Sequence, residues 1–277
     1  MKKLISVLII VVMCLSSVPL QGFVGLDLPE LKLSAFAASA DITNGDYTYR
    51  IVDGNAVIVG VNKKIKGSIA VPSVLDGYTV TEIGYGAFGE CYHITAVTIP
   101  DTVIKIGQSA FSNCQNMTSV TIPDSVTTIK DGAFLNCKSL QTAEIGAGLK
   151  NVGMYIFGAC PKLYSIAVHK DNKNLASSDN MLVSYDKKSL IQYAGVNTEV
   201  EIPDYVTSVM GGAFFGLSNI KKISIPDSVT EIAPYAFSGC LQLESIEIPD
   251  SVKTIGNACF MNCTGLKSVT LGKSVTK

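Results

Sequence analysis

The chain has 277 residues, of which 47% are hydrophobic and 16% charged, so it can bury a core and is not a disordered chain. Its net charge is −1, which gives no general attraction to nucleic acid or to an anionic membrane. It has only two histidines, and this disfavours multi-histidine metal sites and imidazole-based catalysis.

The N-terminal segment reads as an export signal. Two lysines precede the largely apolar run 4–15, which is too short to span a bilayer comfortably, since that takes about 20 residues. The small residues 38–40 form a cleavage site, although an earlier cut near Gly22 and an uncleaved N-terminal anchor stay open. We therefore expect a signal peptide over residues 1–40, with membrane contact only through this segment if it is uncleaved.

The next segment, residues 41–70, carries a hairpin signal. Tyr47–Val52 and Ala56–Val59 are strand-like runs, and they flank Asp53-Gly54, a dipeptide favoured in two-residue hairpin turns. A repeat array follows, and its first unit would otherwise expose its core. We therefore expect this β-hairpin to cap the N-terminal end of the array.

A phenylalanine recurs at a step of 23 residues in two runs, Phe88, Phe111, Phe134 and Phe157, then Phe214, Phe237 and Phe260. In each unit the residues around the phenylalanine have helical spacing, as from Ala110 to Met117, whereas Val120 and Ile122 alternate with polar residues. One unit cannot close its own core, but stacked units can. The sequence thus predicts an α/β repeat solenoid, with short parallel strands on one wall and helical turns on the other.

The repeated pattern, Ile-Pro-x-x-Val-x-x-Ile-Gly-x-x-Ala-Phe-x-x-Cys-x-x-Leu, resembles the BspA-like leucine-rich repeats of bacterial surface proteins. The resemblance covers residues 71–168 and 202–277. It implies a right-handed, curved stack of repeats in an exported or surface-attached protein. Some members of that family are adhesins that bind host matrix proteins or other cells.

An insertion over residues 169–201 separates the two runs of repeats. It begins with a stretch rich in Asn and Asp and continues with two strand-like runs, Met181–Tyr185 and Ser189–Tyr193, around a polar turn. This pattern predicts a β-hairpin. Residues 271–277 lie partway into a further unit, so we expect the array to be uncapped there and to self-associate through this apolar edge.

The cysteine pattern favours buried thiols over disulfides. Six cysteines stand three residues after the repeat phenylalanine, namely Cys91, Cys114, Cys137, Cys160, Cys240 and Cys263. Stacked repeats hold equivalent Cβ atoms about 4.8 Å apart, whereas a disulfide needs about 3.8 Å. Cys259 and Cys263 lack the short paired spacings that are typical of zinc sites. The cluster from Asp171 to Asn180 lacks the glycine and the closing glutamate of an EF-hand calcium loop. We expect no metal, no cofactor and no catalytic residue.

The outward positions of the predicted strands are the candidate partner-binding residues. On the strands these are Ser119, Thr121, Thr142, Glu144, Lys222, Ser245 and Glu247. They form a broad polar surface of the kind that solenoids offer to a large partner. The insertion hairpin adds Tyr185 and Tyr193 as candidates for a sharper contact, since tyrosine is enriched at interfaces.

These observations together predict an exported, non-enzymatic, adhesin-like repeat protein, secreted or at the cell surface. Its expected partner is a host matrix protein, a glycan or a cell-surface molecule, and not nucleic acid. Two alternatives stay open: a spacer or display array within a longer surface protein, and an extracellular hydrolase, which the scarcity of catalytic groups disfavours. The sequence identifies neither the ligand nor the mode of attachment.

Overall fold

The computed structural model describes residues 40–276, so nearly all of the predicted signal segment lies outside the described residues. Within these residues the chain forms strands and turns but no helix, and hence none that could cross a membrane. The first thirteen strands are β1 Ile42–Asn44, β2 Tyr47–Val52, β3 Asn55–Val61, β4 Gly67–Ala70, β5 Val74–Leu75, β6 Tyr78–Ile83, β7 Ile94–Thr98, β8 Lys105–Ile106, β9 Ser119–Ile122, β10 Thr128–Ile129, β11 Thr142–Ile145, β12 Asn151–Val152 and β13 Ser165–Val168. The other ten are β14 Leu175–Ser178, β15 Met181–Ser184, β16 Ser189–Tyr193, β17 Glu199–Glu201, β18 Ser208–Val209, β19 Lys222–Ser224, β20 Glu231–Ile232, β21 Ser245–Glu247, β22 Thr254–Ile255 and β23 Ser268–Thr270.

The predicted parallel strands are present as two sheets, one of strands β4, β7, β9, β11 and β13 and one of β17, β19, β21 and β23. Except between β4 and β7, each paired residue meets the one 23 positions later, as Ser119 does with Thr142. Val120 and Ile122 are buried, while Thr121 between them is exposed. The predicted strand and its alternation of inside and outside are therefore confirmed.

The predicted helical turns are wrong, and with them the α/β class. The backbone is left-handed two residues before and two residues after the phenylalanine, as at Ser109 (φ 56°) and Asn113 (φ 60°), which interrupts any right-handed helix. The N–H groups instead donate to the next unit: that of Phe111 to the carbonyl of Ala133 at 2.7 Å, and that of Asn113 to the carbonyl of Leu135 at 2.8 Å. The fold is a β-solenoid of stacked units of about 23 residues.

A second wall of short strands was not predicted. The two-residue strands β8, β10 and β12 continue a sheet that starts at β1, and β18, β20 and β22 continue one that starts at β14. Each contributes a single inward residue, such as the buried Ile106 and Ile129. Two residues are too few to show an alternating pattern in the sequence.

The predicted N-terminal hairpin forms. Strands β2 and β3 pair antiparallel around Asp53 and Gly54, and both turn residues have positive φ. Strand β3 then pairs in parallel with β6, and the ring of Tyr47 meets that of Phe88 edge-on at 6.4 Å. The role of this hairpin as a cap stays a prediction.

The core is a column of stacked rings. Phe111 lies 5.2 Å from Phe134, which lies 5.3 Å from Phe157, measured between ring centroids. The buried residues form two clusters rather than one, with Phe157 in the first and Phe214 in the second. The division of the core falls at the insertion, where the sheets are also interrupted.

The predicted insertion hairpin is present as β15 and β16, which pair antiparallel with Met181 opposite Tyr193. Strand β14 adds a third antiparallel strand on the other side of β15. Strand β16 pairs in parallel with β18, so the insertion joins the second wall of the solenoid.

Candidate binding face

A groove lies over each of the two parallel sheets. The first has a volume of about 750 Å³ and is lined by Ser119, Thr121 and Glu144, among others. The second has a volume of about 710 Å³ and is lined by Lys222, Ser245 and Glu247. Six of the seven predicted strand residues therefore line two equivalent grooves, each bounded by the turns that contain the Pro-Asp pairs.

The remaining candidates lie elsewhere. Thr142 is half-buried at the start of β11, on the same face as Glu144 but outside the groove lining. Tyr185 is 56% exposed in the turn between β15 and β16, where its N–H donates to the carbonyl of Asn174 at 2.8 Å. It lines neither groove.

Tyr193 is not a surface contact, and this prediction is wrong. Its side chain is only 3% exposed, and its ring stacks on that of Phe214 at 5.3 Å. The Tyr193 N–H donates to the carbonyl of Ala213, in the way the N–H of Phe111 donates to Ala133. Tyr193 thus takes a place in the core column, and the signal that could have found it is an aromatic residue close to one repeat before Phe214.

Carboxylates give both grooves an acidic lining. They are Asp101, Asp124 and Glu144 in the first groove and Asp227, Glu247 and Asp250 in the second. Part of their hydrogen-bonding capacity is used within the fold. Thr121 Oγ1 donates to Glu144 Oε2 at 3.1 Å, and Asp124 Oδ1 accepts the N–H of Ala147 at 2.6 Å. Lys222 is the only lysine among the residues that line the two grooves.

The predicted column of buried thiols is confirmed. The seven described cysteines are buried and free. Five of the six column thiols, all but Cys91, donate to the carbonyl of the preceding repeat phenylalanine, as Cys114 Sγ does to Phe88 at 3.2 Å and Cys137 Sγ to Phe111 at 3.2 Å. Burial raises the pKa of the Cys114 thiol to about 12, because the thiolate would lose its hydration. The thiols therefore act as small core groups that also satisfy a buried carbonyl.

We expect these thiols to resist alkylation. The reactive species is the thiolate, and burial both raises the thiol pKa and blocks access. Folded protein treated with iodoacetamide near pH 8 should stay unlabelled at Cys114 and Cys137, and protein unfolded in guanidinium should label fully, as read by mass spectrometry. A Cys114–Cys137 disulfide found in native material would contradict this assignment.

The Asn- and Asp-rich part of the insertion is structural. Asn172 is 1% exposed; its Nδ2 donates to the carbonyls of Gly146 at 2.9 Å and Leu149 at 3.0 Å. Its Oδ1 accepts two backbone N–H groups, from Asn174 and Leu175. Asp179 Oδ2 accepts a hydrogen bond from the Tyr205 hydroxyl at 2.6 Å, and this bond lowers the pKa of the Asp179 carboxyl. Among residues 40–276 no three metal-ligating side chains meet.

The repeats match a known family. The family model of the BspA type leucine rich repeat region matches in six copies, over residues 74–180 and 189–277. The chain belongs to this family of BspA-type leucine-rich repeat proteins. The resemblance found in the repeat motif is thereby confirmed over more than half of the chain.

Comparison with solved structures finds one repeat protein of clearly similar fold and others with weaker likeness. A leucine-rich repeat protein from Eubacterium ventriosum is 25% identical with a TM-score of 0.58, and the match covers 85% of this chain and 73% of that one. A T. pallidum leucine-rich repeat protein is 23% identical with a TM-score of 0.48, and the match covers 80% of this chain and 89% of that one. Among proteins with curated descriptions, none matches this chain.

Proposed function

We propose that the protein is an exported, non-enzymatic leucine-rich repeat protein that binds a macromolecule through its parallel-sheet face. The partner class is a protein or a glycan of a cell surface or an extracellular matrix. The observation that carries the proposal is the pair of grooves on the same strand positions, one over each sheet.

The chemistry of the grooves supports a large partner over a small substrate. Hydroxyl and carboxylate groups are spread along successive strands rather than converging on one point. Each groove is lined by several adjacent strands, and these strands repeat the same positions at about 4.8 Å. Such a surface makes many modest contacts, which add up when a partner is long or when many copies act together.

Export rests on the N-terminal pattern. Two lysines followed by the apolar run 4–15 and the small residues 38–40 are typical of a secretory signal. Membership of a family whose proteins are largely exported or surface-attached favours the same location.

The test places one cation in each groove. The double variant Thr121→Lys with Ser245→Lys adds charge and bulk at exposed positions of β9 and β21. Binding of residues 41–277 to a panel of purified matrix proteins and glycans is measured by biolayer interferometry. We expect at least one panel member to bind, and the double variant to lose about tenfold or more of that affinity.

The matched control carries the same two charges on the second wall. Thr128→Lys with Thr254→Lys changes half-buried positions of β10 and β22, outside both grooves. This control should keep its affinity within about twofold. Equal losses in the two double variants, or no binding by any panel member, would reject the sheet face as the binding surface.

A further inference from the structure

A separate cavity lies where the second wall is interrupted. It has a volume of about 270 Å³ and sits between β12, the last strand of one sheet, and the sheet that contains β14, β16 and β18. Side chains from both sheets line it, with Val152 on one side and Leu175 and Ile191 on the other. The insertion therefore leaves an apolar space between two sheets that do not pair.

The rim of this cavity is polar and carries one charge. Lys150, Asn174 and Ser189 contribute to the lining, and Lys150 is the only charged residue in it. The ion pairs found within residues 40–276 do not include Lys150. An ammonium group without a carboxylate partner beside an apolar space is complementary to an anion with an apolar body.

Two methionines stand at the mouth. Met154 is 38% exposed and Met210 is 42% exposed, and both line the cavity. A Cβ on Gly211 would lie 2.6 Å from Met154 Sδ, so the absence of a side chain there lets the thioether lie close to the backbone. Methionine adapts its shape to different ligands, which makes it a common residue of apolar binding surfaces.

We propose that this cavity binds a small organic carboxylate with a branched aliphatic body, with the carboxylate on Lys150 and the aliphatic part against Val152, Leu175 and Ile191. A volume of about 270 Å³ lies just below the range of drug-sized sites, about 300–1,000 Å³, so the ligand is a small one. The site is distinct from the two grooves and does not depend on the proposed function.

The probe is isocaproate, a branched aliphatic acid, with isocaproamide as its uncharged match. Protein carrying ¹³C-methyl methionine is titrated with each compound, and the methyl signals of Met154 and Met210 are followed by NMR. We expect saturable shifts of both signals with the acid, and binding of the amide weaker by about fivefold, the size of one exposed charge interaction.

Variants locate the site. Lys150→Gln should weaken acid binding to the level of the amide, while Lys253→Gln, at the equivalent position of a later repeat, should leave it unchanged. Met210→Trp should fill the mouth and remove the shift of Met154. The dispersed methyl spectrum of each variant reports that it is folded. Absence of saturable shifts, equal binding of acid and amide, or equal effects of the two lysine variants would overturn the proposal.

Discussion

Replacing Phe134 with alanine should lower the free energy of unfolding by about 3–5 kcal/mol. The ring is fully buried and lies between Phe111 at 5.2 Å and Phe157 at 5.3 Å, so its removal opens a cavity with rings on both sides. Neighbouring units hold this cavity open, because each is fixed by strand pairing and by the hydrogen bonds between turns. Urea denaturation followed by circular dichroism measures the loss.

Ser119→Ala is the control for this variant. Ser119 lies on the outer side of β9, next to the buried Val120, and its removal should change the stability by less than about 0.5 kcal/mol. Comparable losses for Phe134→Ala and Ser119→Ala would mean that the inner and outer faces of the sheet are assigned the wrong way round.

A second large loss of stability is expected on replacing Asn172. Asn172→Ala should lower the free energy of unfolding by about 2–4 kcal/mol, because the buried carbonyls of Gly146 and Leu149 and two backbone N–H groups lose this partner. This one side chain joins the insertion to the last regular repeat before it. The measurement is again urea denaturation, with amide hydrogen exchange at Leu175 as a local readout.

Asn174→Ala provides the comparison two residues away. The Asn174 side chain is exposed, and the substitution keeps the backbone N–H of residue 174, which donates to Asn172 Oδ1. Asn174→Ala should lower the free energy of unfolding by no more than about 0.5 kcal/mol. If Asn172→Ala were equally mild, the insertion would be held by its strand pairing alone.

The repeat, its strand and its inward residues could be predicted from the sequence, because each depends on a pattern that recurs at a fixed step. Val120 and Ile122 alternate with polar residues over four positions, which is enough to distinguish the faces of a strand. The same alternation predicted six of the residues that line the grooves. The buried thiol column could be predicted from the fixed 23-residue step of its cysteines and from the geometry of stacked strands.

The remaining features depend on information that spacing does not carry. The stretch from Ala110 to Met117 has helical spacing, yet left-handed backbone at Ser109 and Asn113 turns it into stacked turns. Asparagine tolerates this conformation and serine does so less often, so the residue types gave only a weak signal. Tyr193 and Asn172 acquire their roles from contacts between segments that are distant in the sequence.

The fixed step of 23 residues between strand partners and between stacked rings has a consequence for how such a chain evolves. Unequal recombination that adds or removes one whole repeat leaves every remaining ring and strand with an equivalent neighbour. An insertion or deletion of any other length shifts the strand pairing and interrupts the column of stacked rings, unless the extra residues loop out of the repeat as residues 169–201 do. Array length is therefore a freely adjustable property, and the span of the candidate face grows by one strand spacing, about 4.8 Å, with each duplication.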